Sequence, residues 1–148
     1  IINYLTMEKL DEILFYTLEK SIKIYRKFSQ NQISLNGYDI TIDQWLILKT
    51  LHENEQLPQN KIAELVFKDI ASTTRIIELL VQKKYLIRKI NNIDRRKFEL
   101  LITKKGRKII ADIYPIVLEN RNRALSGMPK HRIEELKTHL EKIINNCN

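Results

Sequence analysis

Two short stretches of this sequence concentrate side chains that could recognise nucleic acid. The first is amphipathic and carries Ser72 and Arg75, and the second carries the cationic run 95–97 directly after Asp94. A hydroxyl can bond a base edge or a phosphate, and an arginine can bond guanine O6 and N7 together. A cationic run suits the minor groove, whose narrow, negative floor attracts guanidinium groups. These residue types therefore indicate contacts with duplex DNA in two neighbouring grooves.

The net charge of +8 is not spread evenly along the 148 residues. Residues 55–108 hold fourteen Lys and Arg against six Asp and Glu, whereas the rest of the chain holds twelve of each sign. The whole excess therefore surrounds the two candidate stretches. A basic surface that served solubility alone would have no reason to be segregated in this way, so the distribution predicts nucleic-acid binding.

A helix-turn-helix is predicted to position the first stretch. Asp69 is a good N-cap for a helix over residues 70–84, and a short helix over residues 59–67 precedes it after a tight turn. The positions expected to face the core are Ile62, Leu65, Val66, Thr73, Ile77, Leu80 and Val81. Ser72 and Arg75 then face outward at the N-terminal end of the second helix, where recognition helices contact base edges.

A β-hairpin is predicted to position the second stretch. Residues 85–90 and 97–102 are rich in Ile, Leu, Tyr and Phe, and the turn-forming run 91–94 separates them. A hairpin beside a helix-turn-helix makes a winged helix. Arg96 then lies near the tip of the wing, where we expect it to contact DNA.

Further contacts with the DNA backbone are predicted around these elements. The candidates are Gln59, Asn60 and Lys61 at the start of the supporting helix, Lys68 before the recognition helix, and Thr74, Arg95 and Lys97. The start of a helix also offers free amides to a phosphate. Two alternatives stay open, since Thr74 can instead bond the preceding turn of its own helix, and Arg95 and Lys97 can be simple solvated charges.

A motif across the hairpin connects the chain to a known family. It has the form D-x-R-x-x-x-L-x-[LI]-T and extends from Asp94 to Thr103. Together with Thr74-Arg75, Leu80, Arg88 and Gly106 at matching spacing, it resembles the MarR family of bacterial transcriptional regulators. The resemblance implies that Arg96 enters the minor groove. It also implies that Asp94 orients the wing by pairing with a nearby arginine or with backbone amides.

The same resemblance implies a function. It suggests a homodimer that represses transcription by occupying a pseudo-palindromic operator, and that leaves when a small aromatic or phenolic effector binds between the dimerisation helices and the winged helix. Some family members sense peroxide through an N-terminal cysteine, which is not expected here because Cys147 is the only cysteine.

Two positions depart from the family pattern. Lys84 stands where a glycine usually ends the recognition helix, which predicts a helix end without a left-handed glycine cap. Pro58 stands where a serine or threonine usually opens the supporting helix, a position that proline tolerates.

Helices are predicted on the N-terminal side of the winged helix. A long amphipathic helix covers residues 7–28, and residues 30–39 are expected to form a loop. Thr41 and Gln44 then match a capping box for a helix that extends to about His52 and buries Trp45.

Two helices are also predicted after the wing. The first begins at Lys104 and should bend at Pro115, and a break follows at residues 126–129. The second carries an apolar stripe with heptad spacing, formed by Ile133, Leu136, Leu140, Ile143 and Cys147. Such a stripe must be covered, which favours a two-fold dimer.

The expected fold is thus mainly α with a small β-hairpin wing. Residues 40–103 would form the winged helix-turn-helix, and residues 1–39 and 104–148 would form the helical dimerisation region of one continuous domain. No apolar run approaches the length that spans a bilayer, and a single cysteine agrees with a reducing compartment, so a cytoplasmic location is predicted.

Enzyme and metal chemistry find little support in the residues. His52, His131 and His139 are scattered, and the sequence contains neither a metal-spaced His/Cys group nor a glycine-rich phosphate loop. We therefore expect no catalytic or metal-binding residues, and no cofactor apart from the aromatic effector. A winged helix that binds protein or RNA is the alternative, although the wing chemistry of Asp94 and Arg96 favours a minor groove.

Overall fold

A computed structural model describes residues 7–148 of the chain. These residues form six α-helices, a short 3-10 helix and one antiparallel hairpin, which confirms the expected fold class. After the 3-10 helix Leu10–Glu12, the elements in order are α1 Leu14–Leu35, α2 Ile42–Glu53, α3 Gln59–Leu65, α4 Ile70–Gln82, β1 Leu86–Ile90, β2 Phe98–Ile102, α5 Lys104–Ala124 and α6 Lys130–Asn146. Residues 1–6 of the expected dimerisation region lie outside the described residues.

The first long helix is shifted from its predicted position. It begins at Leu14 instead of Met7 and extends through most of the expected loop to Leu35. Asn31 and Ser34 suggested a loop, but Ile33 between them is 2% exposed and packs in the core, so tertiary packing keeps this segment helical. The chain turns only after Asn36, at Gly37, whose positive φ of 83° suits glycine.

The core lies where α2, α3, α4, the base of the hairpin and α5 meet. Its most deeply buried members include Ile47, Leu48, Ile62, Ile77, Leu80, Leu86 and Ile113. Trp45 is buried as predicted, and the capping box of α2 is present because Thr41 Oγ1 accepts from the Gln44 amide at 3.1 Å.

One inward position of α3 was predicted wrongly. Leu65 is 52% exposed, whereas Ala63 is buried together with Ile62 and Val66. At 100° per residue, Ala63 and Val66 lie on the same side as Ile62, while Leu65 lies about 60° away in the opposite direction. The inward face of this short helix is therefore centred on Val66 and not on Leu65.

The recognition helix α4 ends in a left-handed cap despite the missing glycine. Lys84 has φ of 62°, and the Tyr85 amide donates to Leu80 O at 2.9 Å while the Lys84 amide donates to Val81 O at 2.9 Å. These two bonds form a Schellman motif, with a lysine in the position that glycine usually occupies. The helix thus ends without a glycine, as expected, but it keeps the left-handed cap, which lysine forms here.

The motif residues Thr103 and Gly106 join the hairpin to α5. The Thr103 hydroxyl accepts from the Gly106 amide at 3.0 Å and donates to Lys84 O at 2.7 Å. A Cβ at Gly106 would lie 2.2 Å from Tyr85 O, so only glycine allows this approach of α5 to the strand. This junction sets the hairpin against the end of α4, in the register Leu86↔Ile102 to Ile90↔Phe98.

The terminal helices leave apolar surface uncovered. α1 packs along α5, and Pro115 lies within α5 on its exposed side. On α6, Leu136 is 43% exposed and Cys147 just after the helix is exposed, whereas the other three stripe residues are half-buried, so the described chain covers the heptad stripe only in part. Among residues 7–148 no helix is both long and apolar enough to cross a bilayer.

Candidate nucleic-acid interface

The N-terminus of α4 is organised by the Asp69 carboxylate. Its Oδ1 accepts from the Ser72 amide at 2.7 Å and its Oδ2 accepts from the Ser72 hydroxyl at 2.9 Å. These two hydrogen bonds lower the pKa of Asp69 below its ordinary value. The predicted N-cap is confirmed, and the Ser72 hydroxyl keeps its acceptor lone pairs for a further partner.

Arg75 lies one turn further along α4 and is exposed. Within residues 7–148 its guanidinium forms no salt bridge, so its donors remain available to a base edge or a phosphate. Thr73 and Ile77 on the opposite side of the helix are fully buried and fix the orientation of α4 on the core. The packing of α4 on the core therefore fixes the outward orientation of Arg75.

Two residues that were predicted to contact the DNA backbone are hydrogen-bonded to each other. Gln59 Nε2 donates to Thr74 Oγ1, and the Thr74 hydroxyl donates to Ile70 O at 2.8 Å. Thr74 thus has the bond to the preceding turn that was its alternative role, and it also ties α3 to α4. Contact of either side chain with a phosphate stays a prediction.

The remaining candidates of the helix-turn-helix differ in their environment. Asn60 is exposed, and Lys61 is paired with Glu64 on the surface of α3 at 3.0 Å. Lys68 Nζ lies 3.0 Å from Asp43 Oδ2, and Arg26 Nη2 from α1 lies 2.5 Å from the other oxygen of the same carboxylate. The sequence-based reasoning did not identify Asp43, since an acidic residue in the first turn of α2 carries no signal for a partner on another helix.

The tip of the wing is held by two side chains. Asn91 Oδ1 accepts from the Ile93 amide at 2.8 Å and the Asp94 amide at 3.2 Å, and Asp94 Oδ1 accepts from the Arg96 amide at 3.1 Å. Asp94 therefore orders the turn through a backbone amide, one of the two roles expected of it. Asn91 was predicted only as a turn residue, although Asn is a residue type that commonly forms such bonds.

The wing cations point outward from this ordered turn. Arg95, Arg96 and Lys97 are all exposed, and none of them forms a salt bridge among the described residues. The structure thus presents Arg75 on α4 and three cations on the wing, on two rigid elements joined through Lys84 and Thr103. Contact of Arg95 and Lys97 with DNA stays a prediction, and so does the alternative that they are solvated charges.

We refer to the exposed cations Arg75 on α4 and 95–97 on the wing as the reader. A second feature of the structure is a cavity of about 140 Å³ between α1, α2 and α5. Its lining is mostly apolar with two arginines, and comprises Ile22, Tyr25, Arg26, Ser29, Ile33, Ile42, Trp45, Leu46, Val117 and Arg121. Ser29 Oγ and Trp45 Nε1 are buried, and neither has a hydrogen-bond partner in the described part of the chain. Buried donors without partners cost free energy, so a polar ligand atom beside them would be stabilised.

Comparison with known proteins places this arrangement in a family. The family model for MarR matches residues 40–98, which contain α2, the helix-turn-helix and most of the wing up to the first residue of β2. The match covers 59 of the 148 residues, and this part of the chain is similar to the MarR family. The predicted resemblance is confirmed.

Relatives and solved structures agree with this match. The transcriptional regulator SarZ of Staphylococcus aureus strain MRSA252 is 29% identical over 96 residues, which cover 65% of this chain and 62% of SarZ. A solved structure of a Listeria innocua protein of unknown function is 30% identical, with a TM-score of 0.70, covering 92% of this chain and 93% of that one. Bordetella bronchiseptica BpsR, whose DNA binding is regulated by 6-hydroxynicotinic acid, is 19% identical with a TM-score of 0.83, covering 93% and 96%.

These comparisons define what the fold supports. The match spans less than two thirds of the length of SarZ, and the likeness to BpsR shows the fold alone. The SarZ relatives are transcriptional regulators and not enzymes, which agrees with the prediction.

Proposed function

We propose that this chain is a cytoplasmic, homodimeric transcriptional repressor that binds a pseudo-palindromic operator in duplex DNA and releases it when a small aromatic effector binds. The observation that carries the proposal is that two arginines of the reader form no salt bridge among residues 7–148. Arg75 projects from α4 and Arg96 from the tip of the wing, and both are exposed. A helix in the major groove and a wing in the adjacent minor groove use these two positions.

The dimer is supported by apolar surface at the two ends of the chain. Leu10, Leu14 and Phe15 are 61%, 58% and 61% exposed, and the stripe on α6 is partly exposed, with Leu136 at 43%. Apolar surface of this extent usually marks a protein interface. A two-fold dimer would present two readers to half-sites about 10 base pairs apart or a multiple of that spacing.

The effector is supported by the cavity between α1, α2 and α5. An apolar cavity of about 150 Å³ is known to bind a benzene ring, and this one has about 140 Å³. The Arg26 and Arg121 side chains at its edge suit an anionic group on the ring. Regulation of BpsR by an aromatic acid is in agreement with that chemistry.

The reader is tested by substituting one wing arginine. Arg96→Ala should weaken binding to a duplex selected by the purified protein from a random library, because one charge-assisted contact is lost in each protomer. The loss should be at least about tenfold in Kd, measured by fluorescence anisotropy. Lys137→Ala on α6 removes the same charge outside the reader and should leave Kd unchanged.

Two outcomes would contradict the proposal. Equal losses from the two substitutions would place the contact surface elsewhere on the chain. Binding that is abolished by competitor RNA but not by competitor duplex would favour the alternative, a winged helix that binds RNA.

A further inference from the structure

Three charged side chains from three different elements meet at the N-terminus of α2. Asp43 belongs to α2, Arg26 to α1, and Lys68 to the turn before α4. The carboxylate gives one oxygen to each cation, with N–O distances of 2.5 Å to Arg26 and 3.0 Å to Lys68. The Asp43 side chain is 26% exposed, so water screens these ion pairs less than it screens the surface pairs of the same protein.

The two cations serve different sites. Arg26 lines the cavity between α1, α2 and α5, where it can reach a bound anion. Lys68 directly precedes Asp69, the N-cap of the recognition helix, and it is a candidate for a phosphate contact. The carboxylate of Asp43 is therefore shared between a group that can bind the effector and a group that can bind DNA.

The backbone around Lys68 is held in place, so only the side-chain ammonium can change partner. Phe67 adopts a left-handed φ of 58°, and the Lys68 amide donates to Ala63 O at 3.0 Å. These features fix the turn between α3 and α4. An exchange of Lys68 between Asp43 and a phosphate thus requires only rotation of the side chain, not a change in the turn.

We propose that Asp43 is an electrostatic relay between the effector cavity and the DNA reader. An anion in the cavity draws Arg26 away from Asp43, and the uncompensated carboxylate then holds Lys68 alone. Lys68 is withdrawn from its phosphate, and each protomer loses one contact with the DNA backbone. The relay rests on the proposed function, and it assigns a positioning role to a residue that touches neither ligand.

Linkage requires the reverse effect as well. When a phosphate takes Lys68, Asp43 keeps Arg26 more strongly, and an anion in the cavity binds more weakly. Asp39, an acid that pairs with Lys83 at the opposite end of α4, does not fit this role. Its side chain is fully exposed, and its ion-pair partner at 3.5 Å, Lys83, does not line the cavity.

The effector half of the relay can be tested without DNA. Trp45 is the only tryptophan and lines the cavity, so its fluorescence reports binding of benzoate, the simplest aromatic carboxylate. Asp43→Asn frees Arg26 and should tighten benzoate binding roughly three- to tenfold. In Lys68→Gln, Asp43 pairs with Arg26 alone, and benzoate binding should become weaker. Unchanged benzoate affinity in Asp43→Asn would overturn the relay.

The DNA half is measured as the slope of log Kd against log salt concentration for a selected duplex. Loss of one phosphate contact lowers the slope by about 0.9 per protomer. Benzoate should produce this decrease in the wild type and none in Asp43→Asn. Arg26→Gln should show the lower slope without benzoate, and the double variant Arg26→Gln/Asp43→Asn should recover the wild-type slope.

The double variant separates the relay from a structural role of Arg26. If Arg26 only stabilised the fold, removal of Asp43 would not restore DNA binding. Lys23→Gln is the matched control, since it removes one cation from the same helix, where Lys23 is paired with Glu19 at 3.4 Å. Its slope should equal that of the wild type.

The outcomes also separate the relay from the proposed function. A wild-type protein that binds no duplex refutes the proposed function, while the benzoate titrations still decide whether Asp43 and an anion compete for Arg26. A wild-type protein that binds duplex with a slope unaffected by saturating benzoate overturns the relay and leaves DNA binding intact.

Discussion

Lys84 ends the recognition helix in a backbone conformation that glycine adopts more easily. Its φ of 62° places Cβ close to the following carbonyl oxygen, which costs a non-glycine residue about 1–2 kcal/mol. The side chain is exposed, so little packing is lost when it is removed. Replacement by glycine also stabilises the unfolded state by roughly 0.5–1 kcal/mol, because it raises the entropy of the unfolded chain. Lys84→Gly should therefore stabilise the protein by about 0.5–1 kcal/mol.

The assay is urea unfolding followed by far-UV circular dichroism, with the free energy of unfolding extrapolated to water. Thermal unfolding should show a rise in Tm of about 1–4 °C for a chain of this size. All variants must be compared at one protein concentration, because the proposed dimerisation would make Tm depend on it.

Lys84→Ala is the control, since it removes the same charge and side chain but keeps the strain at Cβ. It should leave the free energy of unfolding within about 0.5 kcal/mol of the wild type. If Lys84→Ala stabilises as much as Lys84→Gly, the effect comes from the side chain and the argument from backbone strain is refuted. A destabilised Lys84→Gly would refute it as well.

Three further predictions concern other junctions of the fold. Gly106→Ala should cost about 3 kcal/mol of unfolding free energy by urea denaturation, because its Cβ would lie 2.2 Å from Tyr85 O, and a loss below about 1 kcal/mol would contradict this. Asp69 has a lowered pKa in the folded state, so its carboxylate contributes stability above the unfolded pKa that is lost as the pH falls through the folded value. The difference in Tm between wild type and Asp69→Asn should therefore shrink from pH 7 to pH 3, and a constant difference would refute the assignment. Truncation before Pro129 should give a monomeric or poorly soluble product with weak operator affinity by size-exclusion chromatography and anisotropy, whereas a soluble fragment of full affinity would contradict the dimer.

The helix-turn-helix and the wing were predicted to within one or two residues because their signals are local. Asp69 caps the residues that follow it, and two strands rich in Ile, Leu and Phe pair across a turn of Asn and Asp residues. The capping box at Thr41 is equally local, and it is confirmed. Local hydrogen bonds and side-chain periodicity act over three or four residues, which is the range over which a sequence pattern is informative.

The first helix was predicted less well because packing decides its end. Asn31 and Ser34 favour a loop by propensity, yet they lie on exposed positions of a helix whose next inward residue, Ile33, is buried. The Gln30 side chain also bonds Ile40 O at 3.1 Å and the Ile42 amide at 3.0 Å, which ties this turn to the start of α2. Both effects depend on a neighbour in space, so the propensity of the segment was overridden.

The N-terminal turn of α2 shows what such long-range contacts add to function. Lys83, at the C-terminal end of α4, donates to Asp39 O at 2.6 Å, and Lys68, at the other end, pairs with Asp43. Residues 39–44 therefore contact both ends of the recognition helix, while Arg26 and Gln30 fasten the same turn to α1. A displacement of α1 caused by a ligand in the cavity would reach α4 through this turn at both of its ends. The residues proposed to contact DNA can be inferred from their own sequence pattern, but the contacts that connect them to the cavity join residues 10 or more positions apart and become visible only in the fold.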